Sequence, residues 1–365
     1  MGQVETPPEV AGAAYTGTLM SQAHKLKAEL IRQTIEDLES WRNALEKEWN
    51  AAHPDLAGKP GVIVHDGFYQ EPSQVGGPPT LTRIPEAEME GYRNQIRNEY
   101  YEWVVPAFEQ FREPDPDALN PMIDNMRQIE SWFGGSQDEA RPGSGSTQRS
   151  AIARIDSVRG DMEEWKGTFQ INFLDNFVNP LQTVSHNMSG VAKGTHDGLE
   201  LAKSVYVRQR LEVLKLLDTS IKAVQALNNA RDPDSHTWAT LIGISVGTIL
   251  TAAGGPVMWI GIGLIVTSTI SQGFTPDPAA QFEVSAPTAQ EVALKVSTAL
   301  GRISSKTAGD EHKVQTMFHQ MWGELSTSRS ASIASNTEGP YVVPRPDISA
   351  ATAGDFNDNT LAPDR

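Results

Sequence analysis

Ser245 is the residue whose neighbours come nearest to a catalytic spacing. Gly243-Ile244-Ser245-Val246-Gly247 fits G-x-S-x-G, the turn that lifts a serine nucleophile above an α/β sheet. That chemistry needs a strand before the turn and a histidine and carboxylate beside it, and Ser245 instead lies inside a long apolar run. It is expected to be a small residue of a packed helix. His312 and His319 are seven apart and share a helix face, but no H-E-x-x-H accompanies them, so they are expected to be solvated. A G-x-x-x-x-G-K-[ST] phosphate loop is absent. There are no cysteines, which excludes thiolate metal sites and disulfides. The sequence therefore predicts no catalytic residue, no metal site and no cofactor, and a protein that is not an enzyme.

What the small residues around Ser245 can do is pack. Between 235 and 276, 42 residues pass without Asp, Glu, Lys or Arg in a chain that is 21% charged. Two apolar runs, 239–253 and 257–270, are separated by Gly254-Gly255-Pro256. Pro256 has no backbone N–H and the glycines favour a reversal, so the runs are expected to form an antiparallel helical hairpin. Ala239, Gly243, Gly247, Thr251 and Gly255 recur every fourth residue, and Gly263, Thr267 and Ser271 do so in the second run. Such glycine-zipper stripes let apolar helices approach closely. Trp238 and Trp259 are placed to sit at a membrane interface. Runs of this length extend only about 22 Å, less than a hydrocarbon core of about 30 Å. A crossing would need the Ser, Thr and Gln flanks, and no nearby Lys or Arg sets an orientation. Lipid or self-association through 238–272 is the expected partner, with a buried core hairpin as the alternative.

The elements that must carry this segment are helical. Leu19, Ala23, Leu26, Leu30, Thr34, Leu38, Trp41, Leu45 and Trp49 repeat at three- and four-residue steps, predicting a helix over 13–50 that ends at His53-Pro54. The Pro- and Gly-rich stretch 54–85 reads as a surface loop. A second helix is predicted over 86–112, closed by Pro114 and Pro116, and a third over 121–132. Pro142-Gly143-Ser144-Gly145 marks a linker. A helix over 147–165 follows, then a long pattern from Phe169 to Leu227 that Pro180 should kink or split. The last amphipathic helix is predicted over 289–325, with a disordered polar tail after it. The resulting division is an N-terminal helical region 1–134, a linker 135–146, a helical hairpin 147–230, the apolar hairpin 235–276, a C-terminal helix 287–326 and a tail 327–365. The fold class is all-α, an elongated, coiled-coil-like helical bundle.

Trp165-Lys166-Gly167 falls where one helical pattern stops and the next starts. Glycine permits the tight turn, and a tryptophan can plug the gap at the bend of an antiparallel pair. With Phe173 eight residues after the tryptophan and Tyr206 late in the second helix, residues 147–228 resemble the Trp-x-Gly family of type VII secretion substrates, helical hairpins exported by actinobacteria and Firmicutes. That resemblance implies a bacterial protein that leaves the cell by a route other than Sec, or one associated with a membrane. In that family a Tyr is followed four residues later by Asp or Glu as the export signal. Here the position holds Arg210, which implies a helical secretion partner that supplies the signal.

Net charge and the N-terminus narrow the classes further. The excess of 46 acidic over 30 basic residues gives −16, which disfavours a nucleic-acid partner and electrostatic docking on anionic lipid. Met1-Gly2-Gln3-Val4-Glu5-Thr6 lacks the basic and apolar regions of a Sec signal, and Glu5 weakens its loose match to a myristoylation pattern. The expectation is a type VII secretion-associated helical protein with a membrane-interacting hairpin. Two alternatives stand beside it, a pore-forming component similar in architecture to cytolysin A and an adaptor that oligomerises through the hairpin.

Overall fold

The structure is a computed structural model that describes residues 4–52, 70–71, 80–81, 86–134, 151–162, 164–165, 168–227, 283–335 and 339–343. Its helices are α1 (Gly12–Ala52), α2 (Glu86–Gln95), α3 (Val104–Glu109), α4 (Asn120–Phe133), α5 (Ala151–Met162), α6 (Thr168–Phe173), α7 (Asn179–Ala226) and α8 (Ala289–Ser335). Apart from a two-residue ladder pairing Gln70–Glu71 with Thr80–Leu81 and an isolated bridge between Gly339 and Val342, the described residues are helix, turn or short irregular stretches, and the protein is all-α.

Helix α1 follows the apolar stripe that predicts it. Leu19, Ala23, Leu26, Leu30, Leu38 and Trp41 are all buried. Thr34, the polar member of the stripe, is buried too, within 2.6 Å of the Tyr101 hydroxyl. The single helix predicted over 86–112 is instead interrupted. A π-helical turn, Ile96–Tyr100, follows α2, and the chain leaves helical geometry at Tyr101 (φ −121°) before α3 begins. Pro106 is the cause: its ring would meet the carbonyl of Glu102 in a continuous helix. Restarting at Val104 puts the proline in the first turn, where its missing N–H is not needed. Pro180 is accommodated without leaving helical geometry, since Phe173, Val178 and Asn179 all stay in the right-handed helical region. A π-helical turn, Leu174–Val178, separates α6 from α7, and Pro180 lies in the first turn of α7.

Cross-helix contacts fix the directions. Glu39 pairs with Arg93, and Lys27 with Glu102 at 2.6 Å, so α2 and α3 run antiparallel to α1. The Val10 carbonyl meets Arg210 at 2.7 Å and Glu29 meets Gln225 at 2.9 Å, so α1 runs parallel to α7. On α8, Lys306 and Asp310 face Glu212 and Arg208 of α7. Farther along, Phe318 lies against Gly198, so α8 returns antiparallel. Helix α4 lies antiparallel on the first half of α7, through Asn120–Lys203 at 2.8 Å and Arg127–Glu200 at 3.0 Å. It stops at Gly134, whose φ of 103° lies in the left-handed region, and any Cβ there would meet Ile152 of α5 at 2.6 Å.

Two apolar clusters result. The larger joins α1, α2, α3, the second half of α7 and the first half of α8. The smaller joins α4, Val191 to Ala202 of α7 and Val314 to Leu325 of α8. Helix α8 continues to Ser335, past its predicted end at Leu325, so the region 327–365 does not begin as a disordered tail. Between Leu325 and Gly339 no glycine or proline breaks the helix, Ser332 is buried, and Asn187 donates to the Pro340 carbonyl at 2.7 Å.

Candidate functional site

The apolar segment with Trp238, Gly243, Gly247, Thr251, Gly254, Gly255, Pro256, Trp259, Gly263 and Thr267 lies outside the described residues. Its flanks do not. Leu227, after α7, and Ala286, before α8, both pack on the larger cluster. Gln225 is bonded to Glu29, and the Ala289 amide donates to Asp37 at 3.4 Å. Those two α1 positions are eight residues, or about 12 Å, apart along the helix. The chain therefore leaves and re-enters the bundle at one end, as a hairpin requires. The same end receives the 53–85 connection, because α1 and α2 meet there through Glu39 and Arg93. Among the described residues no helix is long and apolar enough to cross a membrane.

The predicted helix break at Trp165 is present, since α5 ends at Met162 and α6 starts at Thr168. The chain reverses there. Arg159 of α5 donates to Asn179 at 2.8 Å and to Gln182 at 2.6 Å on α7, and Gln170 donates to the Met162 carbonyl at 2.7 Å. Trp165 does not plug the bend: its surface is 52% exposed. Met162, Val178 and Pro180 are the buried residues here, because Trp165 lies beyond the last turn of α5 while Met162 continues the inward face of Ile155. Phe173 packs on Phe177 with ring centroids 5.2 Å apart. Gly167 lies outside the described residues. Tyr206 is not part of this constellation. It stands 24 residues, about 36 Å, beyond Gln182 on α7, where it faces Glu311 of α8. Burial and the Glu311 charge push its hydroxyl pKa well up, and burial likewise raises the Glu311 carboxyl. The turn residues and Tyr206 thus belong to separate contacts, and α5 covers only the start of α7.

Between the two apolar clusters α7 carries a buried ionic layer that hydrophobic periodicity does not reveal. Arg210 is 2% exposed. It donates to the carbonyls of Val10 at 2.7 Å and Arg112 at 2.8 Å and to Asp115 at 3.2 Å, with its guanidinium 4.4 Å above the Tyr15 ring. Arg210 is thus a bridge from α7 to the N-terminal segment and the loop after α3. Arg208 Nη2 lies 2.7 Å from Asp310 Oδ2, and Lys313 donates to Oδ1 of the same carboxylate at 2.8 Å. The Arg208–Asp310 approach is close but poorly directed, so the pairing is coulombic rather than a good hydrogen bond. Glu212 lies 3.5 Å from Lys306. Burial raises the Asp310 carboxyl, but Lys313 and Arg208 more than offset that and hold it below its usual range. Sliding α7 along α8 would strand these charges, so the layer fixes the register of the pair.

One turn group nearer the start of α7, Arg127 of α4 donates to His196 Nε2 at 2.9 Å and to Glu200 at 3.0 Å. His196 Nδ1 lies 3.1 Å from Asp197, and the Val4 amide donates to Glu200 at 2.9 Å. None of these groups forms a nucleophile with a base. Among the described residues no set of three His, Asp or Glu side chains lies where it could hold a metal ion, and His312 and His319 are exposed on α8. In the sequence Arg208, Arg210 and Glu212 stand between the buried Val207 and Val213, but their residue types alone read as a solvated face. No protein family, curated protein or solved structure matches the chain.

Proposed function

We propose that the chain is a helical protein that presents the charge-free segment 235–276 to a lipid bilayer, and that it belongs among type VII secretion-associated proteins. The observation that carries the membrane reading is the antiparallel pairing of α7 with α8, which brings Leu227 and Ala286, on either side of that segment, to one end of the bundle. Two apolar runs about Gly254-Gly255-Pro256, in a chain segment flanked by α7 and α8, have the composition of a hairpin that lipid can bury. The secretion reading is supported by the Trp165 helix break and the fold-back of α5 on α7, while the exposure of Trp165 gives the ring to a helical partner rather than to the bend.

Liposome flotation and dye release test the membrane reading. Wild-type protein is expected to float with lipid and release dye, and the Val246→Asp, Leu264→Asp double variant to do neither, each Asp costing about 2.5–3.5 kcal/mol at the bilayer centre. Wild-type protein that neither floats nor releases dye, and stays monomeric, would overturn it. Export of the tagged chain from a host with a type VII system, compared with a host lacking the secretion ATPase, tests the route. A cytolysin A-type reading is favoured by the two long helices flanking the segment, and it predicts discrete oligomeric pores without dependence on that ATPase.

A further inference from the structure

We propose that His196 is a proton-operated switch that loosens α4 on α7 on acidification. The inference is independent of the membrane reading and rests on which lone pair is occupied. Arg127 Nε–H donates to His196 Nε2, so that nitrogen is unprotonated and the ring proton sits on Nδ1, facing Asp197. A proton on Nε2 and the Arg127 hydrogen bond cannot coexist. The new Nε2–H has an acceptor already in place, because Glu200 Oε1, one turn along the same helix, lies 3.7 Å away. That oxygen is the one Arg127 Nη2 uses. Uptake of one solvent proton therefore exchanges partners: His196 pairs with Glu200 within α7, and Arg127 loses one acceptor and shares the other with a second cation.

The charged groups around the ring are set for this exchange. From α4 come Arg127 and, 3.8 Å from it, Asp124, which is exposed and remains as Arg127's own-helix partner. From α7 come Lys193, Asp197 and Glu200. Burial raises the Asp197 carboxyl, but the His196 hydrogen bond and the Lys193 charge hold it below its usual range, so it stays ionised and supports the imidazolium. The N-terminal segment presents the Val4 amide to Glu200, and α8 presents Phe318 and Met317 to Gly198. His196 is 1% exposed, so it gains no solvation to substitute for these partners. What remains between α4 and α7 is the Asn120–Lys203 bond, the 3.4 Å bond from Ser189 to the Glu130 carbonyl and the apolar contacts of Leu119, Ile123 and Met126, so α4 loses its central polar tie and keeps contacts at both ends.

Amide hydrogen exchange of the full chain at about pH 7.5 and about pH 5.5, corrected for intrinsic rates, spans the range in which histidine changes charge. Peptides within Asn120–Phe133 are expected to lose protection about tenfold or more at the lower pH, while α1 and α8 keep theirs. His196→Gln, which can still accept from Arg127 but takes up no proton, is expected to keep α4 protected at both. Equal protection of α4 at the two pH values in wild type would overturn the proposal, as would an unchanged pH-dependent loss in His196→Gln. Should that variant unfold at neutral pH, Arg127→Gln decides instead: its α4 protection must be the same at both pH values. Nitrogen-15 histidine spectra supply the last check, since protonation of His196 and loss of α4 protection must share one midpoint.

Discussion

Replacing Arg210 by Met keeps most of the stem volume and removes the guanidinium, and so isolates the bridge between α7, the N-terminal segment and the loop after α3. Two carbonyls, the buried one of Val10 and the part-buried one of Arg112, lose their donor. Leaving each unpaired costs about 1–3 kcal/mol. Loss of the cation over the Tyr15 ring adds about 1–2 kcal/mol at a desolvated site. Against this stands the recovered cost of burying a charge, which in other proteins is of similar size to one such bond. The net expectation is a loss of about 3 kcal/mol, in the range found when one partner of a buried pair is removed. Urea unfolding followed by circular dichroism measures it as a lower midpoint at constant slope. Tyr15→Phe is the control. It keeps the ring under the cation but deletes the 3.1 Å bond to the Phe111 carbonyl, and should cost about 1 kcal/mol. A change below about 1 kcal/mol for Arg210→Met would refute the view that this arginine holds the three segments together.

Three further outcomes follow from the packing. Gly190→Ala should stabilise by about 0.5–1 kcal/mol, because nothing lies within 4 Å of the new Cβ and α7 gains helix propensity. Gly198→Ala should cancel that gain or reverse it, its Cβ meeting Phe318 at 2.7 Å; paired melting curves would show the opposite signs. Asp310→Asn should cost about 3 kcal/mol at neutral pH by stranding Arg208. Because the folded carboxyl is held below its usual range, its stabilisation is present above about pH 3.9 and lost as pH falls through the folded value, so the urea midpoint of the Asn variant should fall less between about pH 5 and pH 2.5 than that of wild type. Trp165→Ala should change stability by less than about 1 kcal/mol, since the ring is half exposed; a loss of about 3–5 kcal/mol in the same unfolding assay would mean that it is buried in solution.

The helices were legible where one apolar face runs unbroken. Leu19 through Trp41 define α1 within a residue or two of its observed ends, and the π-helical turn before Pro180 lies where the ring chemistry requires. Pro106 carries the same chemistry but lies among Val104, Val105 and Phe108, whose spacing masks the interruption. The end of α8 is hidden because Ser326 to Ser335 looks polar, yet the helix runs to Ser335 with Ser332 buried. The candidate site was harder to read for a different reason. Arg208, Arg210 and Glu212 are residue types expected on a solvated face, and only partners 94 to 200 residues away, Lys306, Asp115, Arg112, Asp310 and Val10, make them internal. Trp165 is the converse, an aromatic that reads as core but lies beyond the last turn of the helix that would have turned it inward.

The bond between Arg210 and Val10 closes across 200 residues, and those of Val4 to Glu200 and Glu29 to Gln225 across 196. On a ribosome adding about 5–20 residues per second, α1 therefore waits about 10–40 s for the helix it runs alongside. During that interval its apolar stripe has only α2 and α3 to lie against. The charge-free segment emerges as α7 arrives, before the first residues of α8 can hold its far end. The order of synthesis thus exposes the most apolar part of the chain while the bundle that flanks it is one helix short.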